Sequence, residues 1–246
     1  MSNRFSYVIA VFLLLCFWQA GAMFSGPNIV ATPLMTLDKL IEESGSIKFW
    51  KHIEASSFRI VCALGIAFVT AIPLGLYLGS SKRADRIAKP LIYLTYPVPK
   101  IVFLPLTLLI FGIGDLSKIM LLSLILFFQL LITARDSARA VSRSAKYSLK
   151  SLGANRLDLF VHVIWPSTLP SIFTALRIAT GTVVAVLFFV ESIGARYGIG
   201  FYILDAWGRA DIPQIYSGIV VMALMGVALY ETFDILERFY CRWNQL

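Results

Sequence analysis

Six stretches of this chain, at roughly 5–24, 56–79, 91–112, 117–134, 168–190 and 214–236, are long, apolar and nearly uncharged. A helix of about 20 apolar residues is long enough to cross the hydrocarbon core of a bilayer. Only 15% of the 246 residues are charged, where a soluble domain carries roughly 25%. The mean hydropathy of +0.78 points the same way. A transmembrane barrel would need short segments of alternating polarity, and these runs do not alternate. The expectation is a helical membrane bundle: one domain over 1–246, with 5–24 as an N-terminal anchor helix and 56–236 as the core bundle.

The net charge of +8 is a topology signal. Lys82, Arg83, Arg86 and Lys89 fill one connection, and Arg135, Arg139, Arg143, Lys146, Lys150 and Arg156 another. Arg238 and Arg242 follow the last span. With six spans, all of these lie on the same side as Arg4. Lysine and arginine are retained in cytoplasmic loops, so both termini are expected in the cytoplasm. The opposite connection, 25–55, holds fewer lysines, interleaved with Asp38, Glu42, Glu43 and Glu54. Charge distributed in this way argues for membrane lipid as the surroundings and against nucleic acid as a partner. Ala20-Gly21-Ala22 resembles a signal-peptide cleavage site, but apolar character continues to Phe24, which favours a retained anchor. Cys16, Cys62 and Cys241 have no metal-ligand spacing, and packing is their expected role.

Residues 33–52 mix apolar and charged positions around Gly45 and predict two short helices at the outer surface. The second span carries Pro73 and Gly75 near its inner end, where a kink is tolerable if neighbours cover the freed backbone groups. The third contains TYPVPKIVFLPL, in which Pro97, Pro99 and Pro105 cannot continue a regular hydrogen-bond ladder. Broken backbone at membrane depth survives where protein buries it or water lines it. That makes Pro97, Pro99, Pro105 and Lys100 candidates for a translocation path, although Lys100 could equally snorkel to an interface. Glu191, at the end of an apolar run, is either a path residue or an interfacial helix-end charge. Beyond it, Gly194, Gly198 and Gly200 break the chain, and FYILDAW reads as a short amphipathic return. Gly198, Gly200 and Asp205 are the candidates there for an outer gate or a docking contact.

The segment YSLKSLGANRLDLFVHVIWPSTLP, 147–170, interrupts the apolar runs with a basic amphipathic pattern. Leu149, Leu152, Leu157, Phe160, Val161 and Ile164 recur every three or four residues, leaving Lys150, Arg156 and Asp158 on a polar face. A cytoplasmic helix over 151–164 is expected, with a bend permitted at Gly153 and an end at Pro166. Such a helix could lie on the anionic inner leaflet, or pass movement from a soluble partner into the bundle.

This segment resembles the EAA loop of permease subunits of ABC importers. The likeness rests on Gly153, nine residues, and then Val163-Ile164-Trp165-Pro166. STLPSIFTALRIATG, YPVPKIVFLPL with FGIGDLSK, and GIGFYILDA are similar to the aliphatic-sulfonate, taurine and nitrate branch. Tyr147-Ser148-Leu149 stands where the family has Glu-Ala-Ala, and Trp165 where it has leucine. The resemblance implies an all-α integral membrane protein of about six transmembrane helices, a MetI-like permease bundle with a cytoplasmic coupling helix. It implies that Gly153, Ala154, Asn155, Arg156, Asp158 and Pro166 belong to the ATPase-coupling loop. It further implies a second permease subunit, with a homodimer favoured, two ATPase subunits holding ATP and Mg, and a periplasmic substrate-binding protein.

The chain itself has no GxxxxGK[ST] loop to cradle ATP, so it is expected to bind no cofactor. Neither HExxH nor GxSxG is present. The expected function is the translocation pathway of an importer for a small anionic solute, in the bacterial inner membrane. A secondary transporter would need ion-coupling carboxylates within the spans, where only Glu191 and Glu231 lie near such positions. A membrane-embedded enzyme would need polar catalytic pairs, and none is evident.

Overall fold

The computed structural model describes residues 2–26 and 28–244 and is helical throughout, with no strand among the described residues. Its helices are α1 (Ser2–Ser25), α2 (Pro33–Ser44), α3 (Ile47–Ser80), α4 (Lys82–Thr95), α5 (Leu104–Phe111), α6 (Asp115–Ala140), α7 (Arg143–Ser151), α8 (Arg156–Leu159), α9 (Trp165–Ser192), α10 (Ile199–Gly208) and α11 (Ile212–Tyr240). Among the described residues, five helical stretches are long and apolar enough to cross a membrane: Val8–Ser25, Ile47–Ser80, Asp115–Ala140, Arg156–Ser192 and Ile212–Tyr240. A sixth span arises if Lys82–Thr95 and Lys100–Phe111, bent by 80° at their break, count as one. The bend falls where the prolines predict it. Pro105 lies in the first turn of α5, where a missing N–H costs no intrahelical bond.

The spans are longer than the apolar runs alone indicate. The first of the two short helices expected in 33–52 is α2, started by Thr32, whose Oγ1 accepts the Met35 amide. The second is the leading part of α3, a continuous 34-residue helix that passes through Pro73 without ending.

The chain divides into two compact units whose boundaries fall inside α3, α9 and α11. In the unit of residues 1–56 and 191–224, α10 buries Ile199, Tyr202, Ile203 and Ala206. Trp18 stacks on Tyr216 at 5.9 Å, and its indole N–H donates to the Ala31 carbonyl at 2.8 Å.

In the unit of residues 57–190 and 225–246, α6 forms the centre, with Leu121, Leu122, Leu126 and Leu130 fully buried. Along α3, Ala63, Ala67, Ala71, Gly75 and Gly79 repeat every fourth residue and so share one face. The glycine end of this stripe meets α6 backbone to backbone. A Cβ at Gly75 would stand 2.6 Å from the Leu131 carbonyl oxygen, and one at Gly79 2.1 Å from that of Arg135. Without a hydrophobic drive between helices in lipid, such small-residue contact lets dispersion forces hold two spans together.

Three arginines within the spans of this unit find carboxylates on other helices. Arg59 binds Asp115 at 2.6 Å, Arg135 binds Asp85, and Arg177 binds Asp234 at 2.6 Å and Glu237 at 2.8 Å. A charge at membrane depth is expensive unless paired, so these contacts fix which helices are neighbours.

Candidate functional site

The basic segment does not form the single helix 151–164 expected from its periodicity. It forms an elbow between α7 and α8. Ser142 caps α7, its Oγ accepting the Ala145 amide at 3.2 Å. The helix stops because Gly153 takes a φ of +84°, a left-handed geometry that glycine adopts without the steric penalty of a Cβ. The Gly153 and Ala154 amides close the end on the Lys150 and Leu149 carbonyls. Asn155 then starts the next helix with a reciprocal cap. Its Oδ1 accepts the Leu157 and Asp158 amides at 2.7 and 3.0 Å, while Asp158 Oδ2 accepts the Asn155 amide at 2.9 Å.

The expected end at Pro166 is also corrected. Residues 156–192 form one helical stretch, and a π-turn over Phe160–Ile164 precedes the proline. The Trp165 amide reaches back five residues to the Phe160 carbonyl. Proline has no N–H to donate and its ring crowds the preceding turn, so a locally wider turn admits it without breaking the helix.

The elbow therefore presents a different surface from the one the pattern implies. Gly153, Asn155 and Arg156 are exposed, and Ala154 is half-buried. Asp158 is committed to the cap rather than standing free as a charged contact. Leu152 and Leu157, which the periodicity sets on the apolar face, are 82% and 68% exposed at the tip. Tyr147 is exposed beside them in sequence on α7. The result is a capped corner with apolar knobs and basic flanks.

At the broken third span, Pro97, Pro99 and Pro105 are exposed. Lys100 turns its ammonium back onto the end of α4, donating to the Thr95 and Tyr96 carbonyls at 2.9 and 2.5 Å. It also lies 4.5 Å from the centre of the Phe128 ring. The charge thus satisfies carbonyls that the break leaves without helical amides.

Glu191 is fully buried. Its carboxylate accepts the Ser56 hydroxyl at 2.8 and 2.9 Å and the Gly200 amide at 2.8 Å. Ser56 Oγ in turn accepts the Ile199 amide at 2.8 Å. His52, also buried, places Nδ1 3.0 Å from the Gly198 carbonyl oxygen and 3.1 Å from its amide. Two side chains of α3 and one of α9 thereby hold the start of α10. Gly200 lies within the first turn of α10 rather than breaking it, and Asp205 pairs on the surface with Arg209 at 2.7 Å. Periodicity gave no warning of His52 and Ser56, because their partners lie 146 and 135 residues away. The sequence showed only two polar residues near the start of a span. Among the described residues there is no cluster of three or more His, Cys, Asp or Glu side chains able to hold a metal.

Long apolar helices, a broken third span, interhelical ion pairs and an exposed capped elbow together define a polytopic helical membrane protein. Residues 71–242 match the family described as binding-protein-dependent transport system inner membrane component, and the chain belongs to that family. It is 33% identical over 241 residues to the taurine transport system permease protein TauC of Escherichia coli (strain K12), covering 96% of this chain and 88% of the relative. A putative aliphatic sulfonates transport permease protein of the same organism is 31% identical, with 92% and 84% covered. The nitrate import permease protein NrtB of Leptolyngbya laminosa is 27% identical, with 90% and 82% covered. The fold is similar to a chain of the MetNI methionine ABC transporter in an inward-facing conformation, at a TM-score of 0.65 and 16% identity, over 81% of this chain and 98% of that one.

Proposed function

We propose that this chain is the permease subunit of an ATP-driven importer for a small anionic solute of the sulfonate, taurine or nitrate kind. The solute class is that of the relatives, which are permease proteins for taurine, aliphatic sulfonates and nitrate. In this reading two copies enclose the path, two separate ATPase subunits hold ATP and Mg, and a periplasmic binding protein delivers the solute. Both termini face the cytoplasm. The loop Gly153–Asp158, followed by Pro166, couples the bundle to the ATPase. The bent segment containing Pro97, Pro99, Lys100 and Pro105 borders the path, and the α9–α10 return with Glu191, Gly198, Gly200 and Asp205 forms the outer face.

One observation carries the coupling role: the exposed elbow capped at both of its helix ends. Leu152 and Leu157 are apolar and exposed beside the two caps, as knobs entering a groove on a partner would be. The elbow continues without a linker into the 156–192 helix, so a push on the knobs would reach membrane depth.

The test is reconstitution with the cognate ATPase and binding protein in vesicles, reading ATP hydrolysis stimulated by loaded binding protein. Gly153→Trp adds bulk and left-handed strain at the exposed tip, where nothing lies within 4 Å of an added Cβ. Stimulation should be lost while the protein remains inserted. Survival of both ATPase association and stimulated hydrolysis in this variant would remove the coupling assignment.

A further inference from the structure

A cavity of about 620 Å³ opens among the end of α3, α7 and the start of the 156–192 helix. Lys146, Lys150 and Arg156 line it, with Tyr77 and Ser81 contributing hydroxyls. The carboxylates Asp85 and Asp136 are taken by Arg135 and Arg139, and Asp158 by the elbow's cap. Among the described residues, no carboxylate pairs with Lys146, Lys150 or Arg156. Ser81 also caps α4, so the positive end of that helix's dipole lies at the same wall. Lys146 reaches the Ala138 carbonyl at 3.5 Å, and burial holds its ammonium below the ordinary lysine pKa.

The cavity is not closed on its apolar side. Pro73, Leu76 and Phe160 are shared with a groove of about 560 Å³ that continues past Phe68, Val69 and Trp165. Every side chain lining that groove is apolar. From Leu76 to Phe68 it follows α3 for roughly 12 Å, at 1.5 Å per residue, from the helix end towards its middle. An unpaired cationic cluster at the end of a span, opening into an apolar channel towards the bilayer centre, has the polarity of a phospholipid lying in one leaflet.

We propose that the cavity and groove hold one anionic glycerophospholipid. Its phosphate sits among Lys146, Lys150 and Arg156, and an acyl chain lies along Phe68–Leu76. Basic pockets between spans are physically suited to such headgroups, because the phosphate meets charge while the chain stays in an apolar environment. A free oxyanion would leave the groove unfilled. An acidic side chain of a soluble partner could reach the cations but not the membrane-depth part of the groove. The bound lipid would brace the elbow against α3. The inference rests on α3 crossing the membrane and not on the coupling role, so each can fail without the other.

Native mass spectrometry of the purified full chain in detergent, titrated with phosphatidylglycerol, tests it. Phosphatidylcholine with the same acyl chains and inorganic phosphate serve as the comparison probes. Phosphatidylglycerol should be retained in preference to phosphatidylcholine. The double variant Lys146→Gln, Lys150→Gln should weaken its retention by about tenfold or more, as expected for two lost phosphate contacts. Val69→Trp, which fills the groove and leaves every cation in place, should weaken it as well. Equal retention of the two lipids would overturn the proposal. So would displacement of phosphatidylglycerol by inorganic phosphate together with unchanged binding in Val69→Trp, which would make this a free-anion site. Loss of the lipid on adding the ATPase subunit would assign the cations to that partner instead.

Discussion

Glu191 sits at the end of α9 with its carboxylate buried against the Ser56 hydroxyl and the Gly200 amide. Removing the acceptor leaves buried donors unsatisfied, which costs about 1–3 kcal/mol. Glu191→Ala should therefore lower the thermal unfolding midpoint in detergent, whereas Glu191→Gln, which keeps an oxygen acceptor, should lower it less. Equal midpoints for wild type and Glu191→Ala would refute an anchoring role. Lys100 poses the same question with opposite charge. Its ammonium serves the Thr95 and Tyr96 carbonyls and the Phe128 ring, so Lys100→Met should destabilise by about 1–3 kcal/mol through those lost contacts. Slower import at an unchanged midpoint would instead favour a direct role in the path. Sequence marked both residues as charges in apolar surroundings, but their partners were illegible. Ser56 lies far away in the chain, and which carbonyls a broken helix exposes depends on the direction of the break.

Among the elements, the α3–α6 contact shows what a pattern can hide. Pro73 and Gly75 read as a kink, yet α3 continues to Ser80. What Gly75 and Gly79 provide is proximity, extending the stripe from Ala63, Ala67 and Ala71. A methyl group at Gly79 would meet the Arg135 carbonyl and the Ala138 side chain, both belonging to packed helix. Overpacking of this kind costs roughly 1–3 kcal/mol or more, because backbone must shift. Gly79→Ala should reduce the yield of folded protein, while Gly65→Ala, with nothing within 4 Å of the added Cβ, should not. Equal yields would mean that the helices can separate freely. The elbow was half-legible. Gly153 announced a bend and the periodicity announced helix, but a spacing of three and four continues across a turn without revealing it. Asn155 and Asp158, three residues apart, were the available sign that a second helix begins there.

For the molecule as a whole, hydropathy located the spans because lipid leaves helices few alternatives, and the proline cluster located the one that is broken. Their direction across the membrane is a prediction from charge. The side that carries Lys82, Arg83, Arg86 and Lys89, and then α7, should be cytoplasmic, and α2 should lie outside. Cysteine labelling checks this in a background where Cys16, Cys62 and the buried Cys241 are replaced by alanine. Ser44 ends α2 and Ser144 lies in the first turn of α7, and both are exposed in the structure. A membrane-impermeant maleimide added to intact cells should label Ser44→Cys and spare Ser144→Cys. Permeabilised cells should label both, which controls for burial by partners. The reverse pattern in intact cells would turn the elbow outward, beyond the reach of a cytoplasmic ATPase, and would defeat the proposed importer. Labelling at neither position until permeabilisation would place both on the cytoplasmic side, which requires an even number of crossings between α2 and α7. From Ser44 to Ser144 the spans available are α3, the bent pair α4–α5 and α6. Three full crossings put the two serines on opposite faces; if the bent pair only dips into the membrane and returns, two crossings put them on the same face. The experiment therefore reads the 80° bend as well as the orientation, with opposite labelling expected for a broken span that still crosses.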